Sequence, residues 1–184
     1  HLALLRIESG DDFARAGAWA RQLTDVTAGD TAGARQARLL AAEIALADGD
    51  DTRAAGLLGP LRSSPLPGRP ELLLLARIAT RGGQSAPAVD LLQTWLAGHP
   101  RDAAAWQALA TAYEAQNQPL RAIRAAGEAQ MAHVDYAGAV DRFKAARAFS
   151  DKRDSHPNDD IEAAIIDTRL RQAESLLREQ ALER

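Results

Sequence analysis

An all-α, TPR-like solenoid of antiparallel helix hairpins, about ten helices closed by a long C-terminal helix, is the fold this chain predicts. Three columns of residues predict it. Ala42, Ala76 and Ala110 recur 34 residues apart in the first helix of successive hairpins, and Ala54, Ala88 and Ala122 do so in the second. Gly49, Gly83 and Asn117 keep the same phase between the two helices. Small residues let packed helices approach closely. Gly and Asn most readily take the left-handed backbone that closes a helix. Alanine columns can arise by chance in an alanine-rich chain; a Gly/Gly/Asn column in the same register is much harder to obtain that way.

The clearest hairpin runs from Ala103 to Tyr136. Trp106, Leu109, Ala110 and Tyr113 recur at helical spacing, Asn117-Gln118-Pro119 breaks the run, and Ala122, Ala126 and Ala129 share a face of the second helix. This order of large and small residues, at this period, is the tetratricopeptide pattern.

Taken in order, residues 1–34 form an irregular N-terminal hairpin. His1 to Glu8 reads as the end of a helix, and Asp11-Asp12 starts another with Phe13, Ala16, Trp19, Ala20 and Leu23 on one face. Asp in a first turn suits the helix dipole and caps free N–H groups. Gly10 lies 39 residues before Gly49, so this hairpin is out of phase by an insertion near Thr27 to Gly33.

Residues 35–68 are the first in-phase repeat. A helix is predicted from about Thr31 to Asp48, a turn at Gly49-Asp50, and a helix from Asp51 to about Leu61. Arg38 stands where the pattern has a large apolar residue, and Ser63 to Gly68 reads as a linker. In the second repeat, 69–102, Pro70 lies near a helix start and Leu72, Leu75 and Ala76 point inward. Gly82-Gly83 forms its turn. Ser85 is predicted to cap a helix bearing Ala88, Leu92 and Trp95, which stops at Gly98-His99-Pro100. Asp102 caps the first helix of the third repeat, 103–136.

Beyond that the period halves. Ala139 follows Ala122 by only 17 residues, with Phe143 and Ala146 in the expected columns. The helix from Leu120 to His133 must then serve twice, closing one hairpin and opening an overlapping repeat over 120–150. Gly127 supplies the small residue that the second role needs. Val134 falls in the turn column and departs from its Gly/Asn rule. A polar loop precedes the capping helix, 159–184, started by Asp159 or Asp160. Its apolar stripe comprises Ile161, Ile165, Ile166, Leu170, Ala173, Leu176 and Leu177, opposite a charged face.

Composition narrows the function. The 184-residue chain is 46% hydrophobic with net charge −3, enough to bury a core and unsuited to binding through phosphate neutralisation. Absence of cysteine removes thiol and disulfide chemistry. No apolar run reaches the length of a membrane span. The helix-like run already under way at His1 suggests an excised fragment.

No constellation carries catalysis. His1, His99, His133 and His156 are scattered, without the four-residue spacing that places two imidazoles on one helix face for a metal. Asp48-Gly49-Asp50-Asp51 lacks the alternating ligands and closing Glu of a calcium loop. Gly82-Gly83 has no preceding strand and no following Lys-Ser/Thr, so it is no phosphate cradle. Trp19, Trp95 and Trp106 are assigned to core packing. No cofactor is expected within these residues. What remains is surface. The first helices of stacked repeats line a concave face that takes polypeptide segments. Spacing from the core columns assigns Gln36, Leu39, Glu43, Leu73, Arg77, Thr80, Gln107, Thr111 and Glu114 to it. Gln107 and Thr111 replace the Lys/Asn set with which some TPR domains clamp a chaperone's C-terminal carboxylate.

From roughly Pro70 to Glu174 the chain resembles a known family. His99-Pro100 with Trp106, Ala110 and Tyr113, Leu120-Arg121-Ala122, the run Tyr136-Ala137-Gly138-Ala139-Val140-Asp141, and Asp167-Thr168-Arg169-Leu170-Arg171-Gln172-Ala173-Glu174 are similar to the TPR tail of periplasmic BepA-type zinc metalloproteases. The resemblance implies a non-catalytic recruiting domain for an upstream His-Glu-x-x-His protease domain that would hold zinc. It also implies a periplasmic location, with partners among outer-membrane β-barrel proteins and their assembly machinery. No His-Glu-x-x-His motif occurs in this chain. The alternative is a stand-alone TPR adaptor with no enzyme attached.

Overall fold

A computed structural model describes residues 15–20, 22, 31–61, 67–150 and 157–183. Every regular element among them is a helix. They divide into two compact units, His1–Gly82 and Gly83–Arg184. The first contains α1 (residues 15–20), α2 (Thr31–Ala47), α3 (Asp51–Leu58) and α4 (Arg69–Arg81). The second contains α5 (Ser85–Gly98), α6 (Ala103–Ala115), α7 (Pro119–Ala132), α8 (Tyr136–Ser150) and α9 (Pro157–Leu182). Within each unit consecutive helices pack on one another, the arrangement of an all-α helical solenoid.

The sequence columns are the packing contacts. Ala42, Ala76, Ala110, Ala54, Ala88 and Ala122 are all buried, none more than 2% exposed. The turn column is equally consistent: Gly49 (φ 85°), Gly83 (76°), Asn117 (55°) and Val134 (62°) are all left-handed. In three of these turns the next residue bonds back to the helix. Asp50 donates its N–H to the Ala45 carbonyl (2.8 Å), Gln118 to Tyr113 (2.9 Å) and Asp135 to Gln130 (3.0 Å). That bond, from the sixth residue of the motif back to the first, is the Schellman closure. Val134 therefore keeps the geometry of its column although a β-branched side chain is poorly suited to it.

In the first unit, Leu46, Ala54 and Ile78 join α2, α3 and α4, while Ala16 and Ala20 of α1 pack on Ala41 and Ile44 of α2. Arg81 ties the ends together: its Nη1 donates to the Leu46 carbonyl (3.0 Å) and its Nη2 lies 3.3 Å from Asp51 Oδ1. A cation there complements the negative end of the α2 dipole. In the second unit, α7 packs against both α6 and α8, so it serves two hairpins as the half-period requires. Gly127 shows why a small residue is needed. A methyl group placed on it would meet the Phe143 ring at 2.6 Å.

Several boundaries differ from the expectation. α3 ends at Leu58 rather than near Leu61, because Gly59 (φ 86°) and Pro60 stop it. Its cap is Asp50, whose side chain accepts from Arg53 N–H (3.0 Å). Ser85 does not cap α5; it is the first helical residue, and Gln84 precedes it without a side-chain cap. Asp102 caps α6 as predicted, accepting from Ala105 N–H (3.2 Å). α9 is already helical at Pro157, before Asp159 or Asp160, since Pro suits a first helical position.

The tryptophans are not core anchors. Trp19 is 59% exposed, with the Arg15 guanidinium 5.7 Å from its ring centre. Trp95 and Trp106 are half-buried and staple the α5–α6 connection. The Trp95 indole N–H donates to Asp102 Oδ2 (3.0 Å) and its ring stacks on His99 at 3.7 Å, while the Trp106 indole N–H donates to the Pro100 carbonyl (3.0 Å). The α9 stripe also divides. Ile166, Leu170 and Ala173 are buried, but Ile161 and Ile165 are exposed. The His1–Glu8 helix, Phe13, Leu23 and Ser63 to Leu66 lie outside the described residues.

Candidate protein-binding surface

In the first unit the candidate positions lie on α2 and α4, two alternate helices that touch. Gln36, Leu39 and Glu43 follow one another at helical spacing along α2. Gln36 is exposed and the other two are half-buried. On α4, Arg77 is exposed while Leu73 and Thr80 are half-buried. The Thr80 hydroxyl donates to the Ala76 carbonyl of its own helix (2.8 Å). The two helices are bridged by an ion pair that the repeat pattern does not announce. Arg35 Nη2 donates to Glu71 Oε2 (2.7 Å) and its Nε to Glu71 Oε1. The guanidinium bond holds the Glu71 carboxyl below its usual range against a smaller upward push from burial, and the same bond raises Arg35.

In the second unit, Gln107, Thr111 and Glu114 are all exposed on α6. The Thr111 hydroxyl donates to the Gln107 carbonyl (3.2 Å). Seventeen residues on, the same positions in α7 are Arg124, Glu128 and Met131. There the face is covered, and α9 covers it. Arg124 Nε donates to Glu162 Oε2 at 2.6 Å, with Arg121 Nε 3.4 Å from Oε1 of the same carboxylate. Arg169 grips Glu128 with two bonds, Nε to Oε1 at 2.6 Å and Nη2 to Oε2. Glu128 and Glu162 are both buried. Met131 packs on the apolar cluster that includes Ile166 and Leu170. A helix thus lies on this face through two ion pairs seven residues apart with an apolar strip between them.

The sequence columns found the positions but not the charge pairs. Glu162 and Arg169 sit two turns apart, as do the inward residues Ile166 and Ala173. A charged pair at that spacing beside Arg124 and Glu128 was the available signal. Among the described residues no group of three or more His, Cys, Asp or Glu side chains could hold a metal ion. No helix among them is long and apolar enough to cross a membrane. No protein-family model matches the chain, and no curated protein matches it.

Proposed function

We propose that this chain is a non-catalytic polypeptide-binding module whose first-helix faces recruit helical or extended segments of partner proteins. The observation that supports it is the α7 face. Where the repeat pattern offers Arg124, Glu128 and Met131, a helix is held by complementary charges around an apolar strip. The corresponding positions of α6, Gln107, Thr111 and Glu114, have the same spacing and are exposed. Such a surface reads an amphipathic segment through anchors at helical intervals. Mixed polar and apolar groups on α2 and α4, including Leu39, Leu73 and Arg77, suit polypeptide better than nucleic acid.

The test is capture of partners from envelope and cytoplasmic extracts by the purified chain, compared with Leu73→Asp/Arg77→Glu and Gln107→Glu/Thr111→Arg variants. Loss of the same partners from either variant, with helix content intact, supports the reading. Unchanged capture by both moves the binding site off these faces.

A finer form of the proposal rests on the sequence resemblance alone. In it the module serves an attached zinc metalloprotease in outer-membrane protein quality control, and the module is periplasmic. Zinc belongs to the protease in that reading, since this chain lacks the His-Glu-x-x-His donor set. A full-length gene product without that motif, or retained in the cytoplasm, would leave the stand-alone adaptor as the reading.

A further inference from the structure

The outward face of α9 carries an apolar strip in its N-terminal half. Ile161 is 63% exposed and Ile165 36% exposed. With Asp160, Ala164, Thr168 and Arg169 they line a shallow groove of about 550 Å³. Small side chains at Ala164 and Thr168 run alongside the two isoleucines in the same groove, which is what close approach of another helix requires.

The charges along this groove identify the occupant. Asp160 and Arg171 are both exposed and eleven residues apart. Eleven residues at 3.6 per turn return to within about 20° of the same direction, so both lie on one flank of α9, ~16 Å apart along the axis, Asp160 in the groove and Arg171 beyond its end on the side toward α8. Arg171 is held over that flank, its Nε donating to the Asp167 carbonyl (3.2 Å) and its Nη2 to Thr168 Oγ1 (3.4 Å). The midpoint between Asp160 and Arg171 falls beside Ile165, at the centre of the apolar strip.

A two-fold axis through that midpoint, perpendicular to α9, reverses a second α9 onto the first. It keeps the flank on the same side, brings each Asp160 to the other copy's Arg171, and lays the isoleucines beside the small residues. A self-complementary surface of this kind is the requirement for an isologous pair. We propose that the outward face of α9 is a homodimer interface in which two copies pair their α9 helices antiparallel about Ile165. The residues of this surface are distinct from Gln107, Thr111 and Glu114, the exposed positions of α6 in the same unit. One helix pair buries little area, which places the association among the weak, concentration-dependent ones.

Analytical ultracentrifugation of the full chain across a wide concentration range tests it. The expected result is a mass rising toward twice that of the monomer. Asp160→Arg and Arg171→Asp should each raise the dissociation constant by about tenfold, since like charges then face one another. Combining both substitutions should restore pairing to near the original constant. Ile165→Asp should abolish it. The chain has no native cysteine, so Ile165→Cys should give a disulfide-linked dimer on oxidation and Glu179→Cys, on the same helix but far from the axis, should not. Circular dichroism checks that each variant keeps its helix content. A chain that stays monomeric at every concentration overturns the proposal. So does a dimer indifferent to Ile165→Asp, or a double charge swap that fails to rescue.

Discussion

The two units each contain three helices in which the outer pair touches across the middle one, α2–α3–α4 and α7–α8–α9, yet they secure that contact differently. In the first, the turn is closed by Gly49, the approach is made by alanines, and α2 is tied to α4 by a half-exposed Arg35 and a Glu71 side chain that is 15% exposed. In the second, the turn is closed by Val134, the approach is glycine against a phenyl ring, and α7 is tied to α9 by carboxylates that are buried. The first solution is locally relaxed and tolerant. The second concentrates desolvated charge and tight packing where one helix must serve two hairpins, and it should be the more sensitive to single changes.

The largest difference should appear at the ion pairs. Glu128→Ala leaves the Arg169 guanidinium, 31% exposed, beside an emptied site. Breaking a buried pair from one side costs about 3 kcal/mol, reduced here by whatever solvent Arg169 can reach. Glu71→Ala should cost far less, since exposed pairs contribute little. Chemical denaturation of the two variants checks the ranking, and a double-mutant cycle with Arg169→Ala isolates the pair itself. Equal losses at the two sites would remove the distinction between the units.

Packing comes next. Gly127→Ala forces a methyl group into the Phe143 ring, and the cost should be about 2 kcal/mol, in the range of overpacked cores. Combining it with Phe143→Leu should recover part of that loss by opening space. Gly56→Ala on α3 has nothing within 4 Å of the added carbon and should be neutral or stabilising. Thermal unfolding of the three variants distinguishes a close approach from a permissive helix position.

At the turns the expected signs are opposite. Val134 is a β-branched residue at φ 62°. Relieving that conformation with Val134→Gly should stabilise by about 1 kcal/mol, after subtracting the extra freedom glycine has in the unfolded chain. Gly49→Val imposes the same strain on the first unit and should destabilise by a similar amount. Unfolding midpoints in urea would show both shifts, and a destabilising Val134→Gly would mean that its side chain contributes more than its backbone costs.

How much of this was legible in the sequence follows from what kind of interaction each feature is. The Ala and Gly/Asn columns are periodic, and periodicity survives in a one-dimensional string, so the hairpins, the half-period at α7 and the inward side of Gly127 could be read directly. Val134 was placed in the right column although its residue type argued against the turn, because the register of the neighbouring repeats overrides local preference. The ion pairs could not be read. Glu128 and Arg169 are 41 residues apart, and only the packing of α9 brings them together. The exposure of Ile161 and Ile165 is hidden in the sequence for a related reason. The apolar stripe is wider than α8 and the edge of α7 can cover. Of the candidate binding positions, the sequence supplied the spacing, but not that the equivalent positions on α7 are occupied by α9.

The smallest effect is the one that tests whether the first unit's tie is a surface interaction at all. The Arg35 hydrogen bond lowers the folded-state pKa of Glu71 below its unfolded value. A carboxyl shifted in that direction contributes stability above its unfolded pKa, about 4.3 for Glu, and loses it as the pH falls through the depressed folded value. The difference in melting temperature between the native chain and Glu71→Gln should therefore be constant near neutrality and shrink only in acid below that pKa. It should also shrink at high salt, because the Arg35 end of the pair is half-exposed and screened. The same Glu→Gln change at Glu128, inside its buried contact, should respond much less to salt. If the salt dependence were the same at both carboxylates, the contrast between a solvated tie and a desolvated one would not hold.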